Sequence, residues 1–176
     1  PTLFEYDVLG RTTKTVEPNR AVTLVAYGFG RPAVDSVEQL KVQTTDARNN
    51  QRAVYRDVQG RVVAVEEAID GRKPTTRYDY NPLGELTKVV DAAGYPSEMT
   101  YDLLGRRLSL ANRDTGLTTY AFDDAGNLTR KVTPNLAAAA QAILYEYDFN
   151  RLTRVDYPAS ADIRYFYGAP GAPNRA

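Results

Sequence analysis

Histidine, cysteine and tryptophan are missing from these 176 residues, and methionine occurs once. Without histidine the chain lacks the usual general base near neutral pH and the commonest metal ligand. Without cysteine it has neither a disulfide framework nor a thiolate nucleophile, although that fixes no compartment. An excess of one charge is missing too. With 22 basic and 22 acidic residues the net charge is zero, so the basic surplus that would favour nucleic acid or an anionic membrane as main partner is not there. The longest apolar run, Leu136 to Ala140, is far short of a membrane span. No signal-peptide pattern opens the chain. What remains has a hydrophobic share of 43% and a length suited to one domain or a piece of something larger. The opening Pro1-Thr2-Leu3-Phe4 lies inside a repeat and reads as part of a longer polypeptide.

The phrase that organises the chain is Tyr101-Asp102-Leu103-Leu104-Gly105-Arg106. Asp102 can accept a backbone hydrogen bond from the turn it opens, Leu103 and Leu104 suit the two right-handed central positions, and Gly105 suits the positive φ that follows. This predicts a type I turn with a glycine bulge, which closes a β-hairpin. Met99 and Tyr101 alternate with polar residues before the turn, and Leu108 and Leu110 do so after it, the period of two expected of strands.

The phrase recurs. Turn markers fall at Gly10, Gly30, Gly60, Gly84, Gly105 and Gly126, then at Asn150 in the same role, and finally at Gly171. Most neighbours lie 21 or 24 residues apart, which fits two short strands, a tight turn and a return loop. An aromatic precedes the turn at Tyr6, Tyr27, Tyr80, Tyr101, Phe122, Tyr147 and Tyr167, with Arg56 as the exception. Two residues earlier stand Phe4, Tyr78, Tyr120, Tyr145 and Tyr165, so twelve of the eighteen rings mark one face of a sheet. The turn opens with Asp7, Asp57, Asn81, Asp102, Asp123 or Asp148, with Gly28 and Gly168 as degenerate cases. Pro82 falls where a proline ring presets φ, and Asn150 visits the left-handed region more readily than other non-glycine residues. Arginine follows the turn at Arg11, Arg31, Arg61, Arg106 and Arg151.

These columns predict an all-β fold of tandem antiparallel hairpins, about 21–24 residues per repeat, forming an array over 1–167 with 168–176 as a Gly/Ala/Pro-rich tail or truncated repeat. Return loops are expected at Glu17-Pro18-Asn19-Arg20, Ile69-Asp70-Gly71-Arg72, Ala92-Ala93-Gly94 and Asp114-Thr115-Gly116. Ala33 to Arg52 carries about ten extra residues and is compatible with a helical turn, a longer strand or a loop. Leu136 to Ala142 suggests a short helical turn.

On Tyr6-Asp7-Val8-Leu9-Gly10-Arg11, on the phrase at 101–106 and on Phe122-Asp123-Asp124-Ala125-Gly126-Asn127-Leu128, the chain resembles the YD repeats of Rhs-type proteins. Such repeats occur in bacterial Rhs polymorphic toxins, in the C components of insecticidal toxin complexes, in cell-wall-associated bacterial proteins and in animal teneurins. The resemblance covers nearly the whole chain. It implies a strip of antiparallel sheet that curves and spirals into a hollow shell, which in the toxin members encloses a C-terminal toxin domain. The Asp-Pro-x-Gly-Leu self-cleavage region of the family's core has no match here, and neither does a toxin domain.

Chemical readings of the same residues are weaker. Asp114-Thr115-Gly116 matches the triplet of pepsin-like proteases, but a second copy would be needed and the triplet fits a return loop. Asp123 and Asp124 are neighbours on an extended chain and point to opposite faces. Each turn supplies about one carboxylate where calcium takes six to eight oxygens. Asn127-Leu128-Thr129 is a glycosylation sequon that lies at a hairpin turn. The chain is therefore expected to be no enzyme and to use no cofactor or metal. It is expected to be part of the shell wall of a secreted or cell-surface bacterial protein, contacting other repeats and core of the same polypeptide and an enclosed toxin domain, with unpaired edge strands open to self-association. The alternative is a carbohydrate- or protein-binding module that uses the aromatic face.

Overall fold

A computed structural model describes residues 1–69 and 71–168. The chain forms two compact units, one of Pro1–Pro96 and one from Ser97 onward. Each is a run of antiparallel strands paired in sequence order, because each turn is too short to carry the chain anywhere but back along its neighbour.

The first unit contains β1 (Leu3–Tyr6), β2 (Thr12–Val16), β3 (Val22–Gly30), β4 (Gln39–Thr45), β5 (Gln51–Arg56), β6 (Val62–Ala68), β7 (Thr75–Tyr80) and β8 (Leu86–Val90). Threonine, valine and tyrosine fill these strands, residues whose branched or ring side chains suit a pleated, half-buried surface. The pairs β1/β2, β5/β6 and β7/β8 each shift register just before the turn, between Glu5 and Tyr6, Tyr55 and Arg56, and Asp79 and Tyr80.

β9 (Pro96–Tyr101) leads into the second unit, which continues with β10 (Arg107–Asn112), β11 (Gly116–Phe122), β12 (Leu128–Val132), a helical turn α1 (Pro134–Ala138), β13 (Ile143–Asp148), β14 (Arg151–Asp156) and the short β15 (Ile163–Arg164). Pro134 starts α1, where its missing N–H costs nothing. The helical turn expected near Leu136 is therefore present, and it begins two residues earlier.

The stretch from Ala33 to Arg52 resolves into the end of a loop, strand β4, a tight turn at 46–49 and the start of β5. Gly30 corrects the turn list: it ends β3 opposite Gln39 rather than closing a turn. A Cβ on Gly30 would stand 3.1 Å from the Lys41 stem and in ordinary contact, 3.5 Å, with the Tyr55 ring, so its bareness makes room for the Lys41 stem that lies over Tyr55. The chain instead turns between Arg31 and Glu38. Asn150 is a second correction. Asp148 pairs directly with Arg151, which leaves a two-residue loop in which Phe149 takes the positive φ of 54°. The sequence there is one residue shorter than the Asp-x-x-Gly-Arg phrase, so no residue is left for the glycine's left-handed place, while the register still shifts between Glu146 and Tyr147. The turn expected at Gly171, the tail beyond Gly168 and the Asp70 of the return loop expected at Ile69 to Arg72 lie outside the described residues. Ile69 and Arg72 do pair with each other.

The fully buried set is small. Ala53, Tyr55 and Ala64 cluster on β5 and β6, on the face opposite the aromatic column, since Tyr55 pairs with Ala64 and Lys41 while its neighbour Arg56 holds the column position. That explains why the column breaks at Arg56: this hairpin turns its ring to the other face. There Tyr55, 2% exposed, donates a 2.8 Å hydrogen bond to Glu66 Oε2. The other carboxylate oxygen accepts the Ala33 N–H at 2.6 Å, which fastens the inserted loop, with its buried Pro32, over this face.

Candidate functional site: the turn and ring ladder

The residues singled out by the repeat build one structure several times over. In the first hairpin Gly10 N–H donates to the Asp7 carbonyl at 3.0 Å and Asp7 N–H to the Arg11 carbonyl at 2.9 Å, the pattern of a type I turn followed by a left-handed residue, here Gly10 at φ 75°. The side chain then locks the turn. Asp7 Oδ1 accepts the Leu9 and Arg11 amides at 2.9 and 3.0 Å, and Oδ2 accepts Arg11 Nε at 2.7 Å.

Asp57 repeats this with Gln59 and Arg61, closed by Gly60. Asp102 repeats it with Leu104 and Arg106, closed by Gly105. Asp123 accepts both the amide and the side-chain Nδ2 of Asn127, closed by Gly126. Asn81 holds Leu83 and Glu85 with its Oδ1 and gives its own Nδ2 to the Glu85 carboxylate, closed by Gly84. The column that reads arginine, glutamate and asparagine in sequence is thus a complementary partner for the opener. An acidic Asp meets a donor, and the amide of Asn81 meets an acceptor.

Two turns of the same build were not marked by the repeat. Asp46 holds Arg48 and Asn50, with Asn49 left-handed in place of glycine. Asp91 holds Ala93 and Tyr95, closed by Gly94. Both carry the signal in the sequence, an Asp with Asn or Gly three residues on, but they close the opposite edge, where a connection between repeats was expected. Glu17 to Arg20 has the same backbone pattern without the side-chain lock. Asp148 keeps only a 2.7 Å ion pair with Arg151.

Donors converging on these carboxylates favour the charged form. Asp7 and Asp102 lie below the ordinary 3.8 chiefly through the Arg11 and Arg106 amides. Asp46 and Asp123 do so chiefly through the side chains of Asn50 and Asn127. For Asp57 burial is the largest influence and pushes upward, yet the bonds from Arg61 and Gln59 outweigh it. Tyr55 moves the other way, to about 12, through burial and then through Glu66.

The rings join one hairpin to the next. Arg11 lies 4.2 Å from the centre of the Tyr27 ring, and the Tyr27 hydroxyl donates to the Thr12 carbonyl at 3.1 Å. Arg61 lies 4.9 Å from Tyr80, whose hydroxyl donates to Val62 at 2.9 Å. Arg151 lies 5.3 Å from Tyr167, which donates to Leu152 at 2.7 Å. Phe122 has no hydroxyl; Arg106 sits 5.1 Å over its ring and donates instead to the Asp123 carbonyl at 2.7 Å. Each arginine is thus held by its own turn and laid on the ring of the following hairpin. A returning strand separates successive column rings, placing them about 10 Å apart, and the guanidinium spans that gap. Tyr147 follows Asn127 rather than an arginine, and burial and the Asp123 charge raise its pKa. Tyr6, in the first hairpin, is 60% exposed. Tyr101 is half-buried on β9.

Asp114-Thr115-Gly116 stands in the loop that enters β11. The Asn112 side chain caps it, accepting from the Asp114 and Thr115 amides and the Thr115 hydroxyl. Gly116 is left-handed at φ 70°. Among the described residues no group of three His, Cys, Asp or Glu side chains is placed to hold a metal, and no helix is long and apolar enough to cross a membrane.

Hairpins fastened in series by their own turns define a repeat-built β scaffold. The teneurin YD-shell family model matches residues 33–172, and the chain belongs to that family. Among solved structures it is similar to the Tc holotoxin pore of Photorhabdus luminescens, with a TM-score of 0.68 and 16% identity over 91% of this chain and 9% of that one. A TcdB2-TccC3 structure matches with a TM-score of 0.57 and 15% identity over 95% of this chain and 11% of that one. The chain thus spans about a tenth of the length of these relatives. It is a YD-shell structural module.

Proposed function

We propose that this module is a stretch of wall in a hollow shell that encloses a C-terminal toxin domain or another cargo, within an exported or cell-surface bacterial protein. The observation that carries the reading is the ladder. Asx openers and following arginines are used to lock turns and to hold the next ring, so the repeated polar groups are consumed in building the sheet. The same residues, from Tyr6, Asp7 and Gly10 to Tyr147 and Asp148, have structural roles, and the chain performs no reaction of its own. Its partners are the remaining repeats and core of its parent polypeptide, together with the cargo. Sugar stacking on the aromatic face is less well supported, because column rings such as Tyr27, Tyr80, Phe122 and Tyr167 already carry a guanidinium.

Limited proteolysis tests the enclosure. The parent polypeptide is digested beside its isolated downstream segment, and the wall reading expects the segment to be cut far more slowly in the parent until the shell is unfolded. Equal cleavage rates would contradict it.

A further inference from the structure

Hairpins and the joints between them are held to different extents. Inside the hairpin β5/β6 the ladder runs from Gln51 opposite Ala68 to Arg56 opposite Val62. Its joint to the next hairpin, β6/β7, pairs only from Ala64 opposite Arg77 to Glu66 opposite Thr75. The joint β2/β3 is as short, from Lys14 opposite Leu24 to Val16 opposite Val22. Towards the turns the ladder of each joint has ended, and a ring hydroxyl spans what is left. Tyr80 donates there to the Val62 carbonyl and Tyr27 to the Thr12 carbonyl. The joint β10/β11 lacks that proton. Phe122 stands in the place of the tyrosine, and Arg106, whose guanidinium does not deprotonate, donates to the Asp123 carbonyl instead.

A phenol bonded to a carbonyl depends on its proton. Once ionised it has nothing to donate and sets a negative oxygen against the carbonyl oxygen. We propose that the joint β6/β7 is an alkali-sensitive latch closed by the Tyr80 proton, whose loss parts the hairpins β5/β6 and β7/β8 while each stays folded. The joint β2/β3 is built as a second such latch through Tyr27. Around Tyr80, burial opposes the phenolate most; Arg61 and Arg56 favour it, Asp57 and Tyr78 oppose it, and the balance holds the phenol above the ordinary 10. Asp35, Arg77 and Asp79 are the other charged groups beside it, lining with Tyr80 a cavity of about 180 Å³ that gives water room to reach the joint. Across its own hairpin stands the neutral Leu86. In the parted joint Tyr80 ionises at the ordinary 10, so its contribution is complete below pH 10 and is lost as pH rises from there towards the higher native value. The latch belongs to the chain itself, whether or not the shell holds a cargo.

Digestion with an alkali-active protease such as subtilisin, with fragments mapped by mass, reads the joints separately. From pH 10 to 12, cleavage at 69–74 between β6 and β7 should rise by up to about tenfold per pH unit relative to cleavage at 113–115 in the Phe122 joint, with far-ultraviolet circular dichroism unchanged. Cleavage at 17–21, between β2 and β3, should rise with it. Tyr80→Phe should cut faster at 69–74 at pH 8 but show no further rise there, while 17–21 still responds. No rise at 69–74, an equal rise at 113–115, a matching rise in the turn 57–60 inside the hairpin, or a pH profile that Tyr80→Phe leaves unchanged would overturn the proposal.

Discussion

At the scale of single residues the turn is a matched pair, opener and closer. Asn81 with Glu85 shows it most clearly, since both members differ from the Asp–Arg form and they differ together. Asn81→Asp alone would set two carboxylates against each other and should cost about 1–2 kcal/mol. Adding Glu85→Arg should recover most of that, read as coupling in a denaturation cycle. The carboxylates also set the acid limit. Their native pKa values lie below the unfolded 3.8, so their contribution is complete above about pH 4 and is lost as pH falls through the lowered native values. Thermal midpoints should therefore drop steeply between about pH 4 and pH 2, and less steeply in a chain carrying Asp102→Asn and Asp123→Asn. An unchanged slope would remove these turns from the account.

At the scale of elements, hairpins were legible because their turns obey local chemistry. Asp or Asn, two free positions and glycine state a conformation that needs no distant partner, and five of the eight turn markers carried it. Gly30 was misleading because a bare glycine also serves packing, and the need came from the Lys41 stem on the adjoining strand. Phe149 was hidden because a missing residue changes the loop type without changing the composition. The inserted loop was not legible at all. Its anchor joins Ala33 to Glu66 through a side chain that reads in sequence as an ordinary strand residue. Glu66→Ala should leave the buried Tyr55 hydroxyl and the Ala33 amide without their acceptor and cost about 2–4 kcal/mol, with Glu66→Gln costing less. Hydrogen exchange at Ala33 should rise in the alanine variant; if it does not, the loop is held by Pro32 and its apolar neighbours rather than by the carboxylate.

At the scale of the molecule, a repeat strip gains its stability from neighbours, and its end hairpins offer the same surfaces that inner hairpins bury. The Arg-to-ring joint was only half legible: composition showed the columns, but that an arginine reaches the ring of the following hairpin depends on register and on the twist of the turn. Tyr6 stands at the ladder position of Tyr27 and Tyr80 yet is largely exposed. In the parent protein it should receive an arginine or an equivalent group from an adjoining hairpin. The most direct measurement is a cryo-EM reconstruction of the parent polypeptide. A closed wall is expected in which these hairpins form one stretch, a guanidinium or its substitute lies over Tyr6, and density fills the interior. An open, extended strip with Tyr6 facing solvent and nothing enclosed would contradict it.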